Sequence, residues 1–209
     1  IADRNNSRIR KVDARTGNIN TIAGRATIAF SGDDGPASQA ELFLPTGVAV
    51  DGVGNVYIAD QGNQRIRRIN ASDGKITTIA GTGVAGYNGD GIAAKDALIN
   101  ISFPSYLACD AAGDVIFADR SNHRIRKITI STGLISTIAG NGVNGFGGDG
   151  SNPTGANLSF PTGAVVGANG QLYIADSGNN RIRRTRPATD IGTVASVSAA
   201  SYIPSGNLA

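Results

Sequence analysis

Four aspartates, Asp3, Asp60, Asp119 and Asp176, are each followed at fixed distance by an asparagine and then by Arg-Ile-Arg, as in Asp60-Gln61-Gly62-Asn63-Gln64-Arg65-Ile66-Arg67. A carboxylate five to seven residues before two guanidinium groups can do three kinds of chemistry. It can clip a turn by accepting loop N–H groups and pairing with an arginine. It can leave a ring of arginines on one surface for an acidic partner or RNA. It can serve as an acid–base group beside a nucleophile. The aspartates recur at intervals of 57, 59 and 57 residues, which is the signature of a repeat architecture. A reacting site is usually singular, so the recurrence favours the clip, with Asp3, Arg8, Asp60, Arg65, Arg67, Asp119, Arg124, Arg126, Asp176, Arg181 and Arg183 as its members.

A second set of acids sits in glycine-rich inserts between the repeats: Asp33 and Asp34, Asp90 in Gly89-Asp90-Gly91, and Asp149 in Gly148-Asp149-Gly150. Their oxygens make Asp90 and Asp149 candidate calcium ligands, although the spacing fits no EF-hand loop, and the competing reading is a turn in which aspartate bonds its own backbone. No other cofactor is expected. Each insert also carries one aromatic, Phe30, Tyr87 or Phe146, read as a plug that packs the loop onto its repeat. Long loops that keep a pattern are the natural place for ligand contact, which makes Tyr87 and Phe146 candidates along with the insert acids.

The single histidine, His123, does not complete a believable triad with Asp119. The matching positions hold Ser7, Gln64 and Asn180, so it reads as an exposed loop residue. The single cysteine, Cys109, aligns with Val50 and reads as a buried core residue.

The elements that must position these residues follow from hydrophobic pattern and turn chemistry. Each period holds four short segments of strand character, such as Gly47–Asp51, Val56–Ala59, Arg65–Ile69 and Lys75–Ala80. Proline precedes the first, and Gly-rich or Asp-Gly turns separate the others. The third segment alternates basic and apolar residues, as expected of a strand with one wet face. Four antiparallel strands in meander order form one blade, and blades with two apolar faces must stack radially. The expected fold is therefore all-β: a β-propeller of four-stranded antiparallel blades, with about three and a half blades present. Residues 1–24 form a partial blade and 25–81, 82–140 and 141–186 form the repeats. Residues 187–209, rich in Ser and Ala, read as a tail or linker in which Ile191–Val197 adds a last strand.

Composition narrows the classes further. With 19 Lys and Arg against 16 Asp and Glu the net charge is +3, too small to imply a strong field, so nucleic acid is not an expected partner. No apolar stretch approaches the roughly 18 residues that span a bilayer. Because Ile1 falls inside a repeat, the native N-terminus is expected upstream.

The phrases Leu-Pro-Thr-Gly-Val-Ala-Val-Asp, Gly-Asn-Val-Tyr-Ile-Ala-Asp and Asn-x-Arg-Ile-Arg at positions 44 to 67 resemble NHL repeats, and the likeness covers residues 1 to about 186. Asn122-His123-Arg124 stands where the eponymous Asn-His-Leu would. The long form with Gly-Asp-Gly inserts is similar to bacterial secreted proteins and to the propellers of teneurin-like and YD-repeat proteins, and the start of the tail resembles an Ig-like module of bacterial surface proteins. The resemblance implies a six-bladed NHL propeller of which this chain forms a portion, completed by further blades or by self-association. It also implies a non-enzymatic binding scaffold at the cell surface or outside a bacterial cell, with a protein or glycan partner. Two alternatives remain open: a lyase or hydrolase with its site in the central channel, and binding of RNA or acidic partners through the arginine-rich rim. Related lyases hold zinc through several histidines, which His123 alone cannot supply.

Overall fold

The computed structural model describes residues 1–186 and the backbone of Val194–Ser198. Its strands fall into four antiparallel sheets. The first holds β1 (Ala2–Asp3), β2 (Arg8–Val12) and β3 (Ile19–Ala23). The second holds β4 (Pro45–Val50), β5 (Val56–Asp60), β6 (Arg65–Ile69) and β7 (Ile76–Ala80). In the third, a two-residue strand β8 (Ile92–Ala93) from the preceding insert joins the outer edge of β9 (Leu107–Cys109), β10 (Val115–Asp119), β11 (Arg124–Thr129) and β12 (Leu134–Ala139). The fourth is β13 (Gly163–Val166), β14 (Leu172–Asp176), β15 (Arg181–Thr185) and β16 (Val194–Ser198). Residues 187–193 and 199–209, with the linker reading attached to them, lie outside the described residues.

Each sheet is a meander because its turns are written into the sequence. At Asp51-Gly52-Val53-Gly54-Asn55 the Asp51 carboxylate accepts the N–H groups of Val53 and Asn55 at 3.0 and 2.9 Å. Gly54 supplies a φ of 92°, in the region that only glycine enters without strain. The first strands then abut from sheet to sheet: the Thr46 hydroxyl donates to the Ser105 carbonyl at 3.0 Å, a Cβ on Gly47 would meet that carbonyl at 2.8 Å, and one on Gly163 would press on the Tyr106 side chain at 3.1 Å. These inner strands fan the sheets about one axis, giving blades of a β-propeller.

Period-2 alternation sorts each central strand between its two neighbours. In β5, Tyr57 and Ala59 pack towards the third blade with Val115 and Phe117, while Ile58 packs towards the first with Ile9 and Leu42. In β10, Ile116 and Ala118 face the fourth blade and meet Leu172 and Ile174. All of these side chains are at most 6% exposed, so the core is a set of seams between blades.

The third strands of the second and third blades depart from the expected wet face. Ile66, Arg67 and Ile69 in β6 are all buried, because the glycine-rich insert folds over the arginine side and carries the acid that compensates it. Cys109 also departs from expectation and is half-buried. Its counterpart Val50 is 59% exposed, since both lie at the far ends of inner strands. Burial still pushes the Cys109 thiol up to about 11, with Asp51 and Asp110 adding to the shift.

Candidate functional site

The end of each second strand runs into a one-turn 3₁₀ segment, and its fourth residue (Ser7, Gln64, His123 or Asn180) takes a left-handed φ of 49° to 54° to enter the third strand. The repeated aspartate lies under this turn. Asp60 accepts the Phe43 N–H at 2.8 Å and the Asn63 amide at 2.8 Å, and lies 3.4 Å from Arg67. Asp119 accepts from Asn100 N–H, Asn122 and Arg126 at 2.6, 2.9 and 3.1 Å. Asp176 does so from Ser159 N–H, Asn179 and Arg183 at 2.7, 2.8 and 3.1 Å. Both members of each of these three ion pairs are 0% exposed. Burial pushes the Asp60 carboxyl up to about 6 against the donors from Asn63, Phe43 and Arg67, and it pushes Asp119 up for the same reason.

Each buried guanidinium holds a second acid, contributed by the insert. Arg67 reaches Asp33 at 2.7 Å, Arg126 reaches Asp90 at 3.0 Å, and Arg183 reaches Asp149. The same arginines donate to insert carbonyls of Ser31, Gly89 and Gly147. The asparagine of the motif spans from its aspartate to the insert carbonyls of Ala29, Gly86 and Gly145. Asp34 is exposed and serves the turn through its backbone, donating its N–H to Ile76. The carboxylates proposed as calcium ligands, Asp90 and Asp149, are thus held by arginine. Among the described residues no three His, Cys, Asp or Glu side chains converge as a metal site.

The first arginine of each Arg-Ile-Arg has a different task from the one the spacing suggested. Among the described residues Arg65, Arg124 and Arg181 have no acid partner. Arg65 donates to the carbonyls of Asn63 and Thr82, and Arg124 to those of Asn122 and Asn141, tying the hairpin to the next insert. Their guanidinium groups lie over the insert aromatics: Arg65 over Phe30 at 3.8 Å, Arg124 over Tyr87 at 4.0 Å and Arg181 over Phe146 at 4.1 Å. The second arginines lie over the same rings at 4.8, 4.9 and 5.0 Å. Every seam therefore holds a charge-neutral quartet of two arginines and two aspartates around one aromatic ring. In the first repeat Arg10, rather than Arg8, meets Asp3, at 3.5 Å and half-exposed.

His123 is a seam residue as well, which its loop position did not reveal. Its Nδ1 accepts the Phe160 N–H at 3.2 Å, and its ring meets Phe160 edge-on at 4.6 Å. Gln64 has the matching role in the preceding blade, bonding both the N–H and the carbonyl of Ile101 at 2.9 Å. The signal available in the sequence was that position 64 and position 123 each hold a side chain able to accept and donate.

With the geometry in place, the fold and the clips define a β-propeller assembled from repeated blades. The model of the NHL repeat matches residues 158–184, which include the fourth-blade aspartate, asparagine and arginines, so that stretch is an NHL repeat. It is 33% identical over 144 residues to the Arabidopsis thaliana protein SUPPRESSOR OF QUENCHING 1, chloroplastic, and 31% identical over 143 residues to NHL repeat-containing protein 2 of Bos taurus. These matches take in 66% and 65% of this chain but only 13% and 19% of those longer proteins. A stretch of 73 residues, 30% of the chain and 3% of the relative, is 41% identical to human Teneurin-4. Among solved structures, a Bacteroides thetaiotaomicron protein of unknown function superposes with a TM-score of 0.65 at 22% identity, over 86% of this chain and 42% of that one.

Proposed function

We propose that these blades form a rigid, non-enzymatic binding platform of the secreted or cell-surface kind that the repeat form resembles, engaging a protein or glycan partner. The observation that carries this reading is the quartet. The repeated aspartate and the second arginine of the motif are spent identically at three successive seams, buried and paired with each other. A residue so engaged is a fastener. The described inner strands, Pro45–Val50, Leu107–Cys109 and Gly163–Val166, are built of Pro, Thr, Gly, Val, Ala, Leu and Cys, whereas a channel enzyme would gather acids and histidines there. The inserts in turn offer recurring exposed apolar groups: Val84 and Val143 at 60% and 56%, beside Tyr87 and Phe146 at 38% and 47%. Such groups suit partner contact.

The test is a screen of the purified chain against ester, lactone and cyclic-depsipeptide substrates, run beside Asp119→Asn and His123→Ala. The expected result is no turnover above that of the variants. Turnover abolished by either substitution would overturn the platform in favour of a channel enzyme.

A further inference from the structure

In the motif Asp-x-x-Asn-x-Arg-Ile-Arg, the position immediately after the aspartate stands outside the clip. It is Arg4, Gln61, Arg120 and Ser177 in successive blades. Because Pro45 pairs with Asp60, this position and the entrance to the inner strand share one rim of the wheel, close to its axis. Two observations single out that rim. The first is that Arg4 and Arg120 belong to no ion pair among the described residues, in contrast to the doubly paired Arg67, Arg126 and Arg183. Arg4 donates only to the neutral side chains of Gln61 and Asn5, each at 3.3 Å, and Arg120 only to the Ser102 hydroxyl at 3.3 Å. The Nε atoms of both are shielded from solvent and have no hydrogen-bond partner, a property they share with Arg126 and Arg183, so the missing acid is what sets them apart. The second concerns the 59-residue spacing. Asn100 N–H occupies on Asp119 the place that Phe43 and Ser159 N–H occupy on Asp60 and Asp176, so the two extra residues fall between Asn100 and Pro104. That longer segment displays Phe103, 57% exposed, beneath the Arg4 guanidinium at 4.7 Å. Its Ser102 reaches Arg120, which lies 5.1 Å from the Phe160 ring.

We propose that this rim binds a small organic anion, a phosphate or carboxylate on a planar apolar body, with Arg4 and Arg120 holding the anion and Phe103 packing the apolar portion. A guanidinium has five donors in a fixed fork that matches such oxygens, and Arg4 and Arg120 are half-buried with donors unspent. The adjacent acids do not compete. Asp3 is engaged by Arg10 and Asn6, and Asp119 by Arg126 and Asn122. The inference deepens the platform reading and rests on it in one respect, that the rim holds its ligand without reacting with it.

The probe is phenyl phosphate, followed by phosphorus NMR, with inorganic phosphate as a second arm. Saturable binding below about 10 mM is expected, weakened about tenfold or more by Arg4→Gln or Arg120→Gln. Phe103→Ala, at an exposed position that does not threaten folding, should weaken phenyl phosphate more than inorganic phosphate. Arg15→Gln, which removes the same charge from an exposed turn, should leave both unchanged. No saturable binding, or equal weakening by Arg15→Gln and Arg120→Gln, would overturn the site. Release of phenol would leave the site standing and contradict the platform reading, so the two fail separately.

Discussion

The guanidinium of Arg126 lies 3.1 Å from the carboxylate of Asp119 with neither side chain exposed to water, while its other acid, Asp90, is 38% exposed. One cation is thus shared between a dry partner and a wet one. Replacing the dry partner by its amide leaves a buried charge half-compensated and sets an NH2 among the donors of Arg126 and Asn122, while the remaining oxygen can still accept the N–H of Asn100. Asp119→Asn is expected to cost about 3–5 kcal/mol, whereas Asp90→Asn is expected to cost no more than about 1 kcal/mol. Urea unfolding of the two variants checks the order.

The insert rings make a separate contribution. Tyr87→Phe keeps the surface under Arg124 and Arg126 and loses only an exposed hydroxyl bond to Asp90 at 3.1 Å, so its midpoint should stay within about 0.5 kcal/mol of wild type. Tyr87→Ala removes the face that two guanidinium groups share and should cost about 1–2 kcal/mol. Thermal unfolding of the pair separates ring from hydroxyl.

Acid should loosen the seam between the third and fourth blades. The Nδ1 of His123 can accept the Phe160 N–H only while the imidazole is neutral. Burial, with help from Arg120 and Arg124, holds its pKa below the ordinary 6.5. The unfolded chain then binds the proton more readily than the folded one. The stabilisation is complete above the unfolded value and is lost as pH falls through 6.5 towards the folded value. Asp60, raised to about 6 by burial, works in the opposite sense: its folded form keeps the proton longer, so its contribution declines as pH rises from 3.8 towards 6. Comparing wild type with His123→Gln isolates the histidine, because the same Asp60 is present in both. The stability advantage of wild type over the variant should shrink between about pH 7.5 and about pH 5. A constant difference would show that the imidazole does not titrate in that range.

The architecture was legible because it is written redundantly: an aspartate at near-constant spacing, prolines at three strand entrances, and four strand segments in each period whose sheets have two apolar faces to cover. The division of labour within Arg-Ile-Arg was not. In the strand pairing Arg65 sits directly opposite Asp60, so nearest-neighbour reasoning assigns it the acid, yet the buried carboxylate goes to Arg67 two residues on. What decides this is the insert, more than 30 residues upstream, which offers Phe30 to one arginine and Asp33 to the other. A local motif cannot display a partner that arrives through tertiary packing. The once-per-period appearance of Gly-Asp-Gly with the motif was the available hint. The same packing explains why the third strands of the second and third blades have no wet face and why His123, in a loop, is a seam residue.

Calcium gives a further check. With Arg126 and Arg183 beside Asp90 and Asp149, neither carboxylate offers a dication net attraction. Millimolar calcium, or its removal with EDTA, is expected to move the melting temperature by less than about 1 °C. A rise that saturates with calcium would return these loops to the metal-site reading.

The double-mutant cycle across Asp119 and Arg126, with Asn and Gln as replacements and urea midpoints as the readout, bears most directly on the claim that the recurring charges are fasteners. The expected outcome is that each single variant is destabilised by several kcal/mol and that the double variant recovers about 1–3 kcal/mol of the summed loss. Single variants as stable as wild type, with the two changes simply additive, would contradict it.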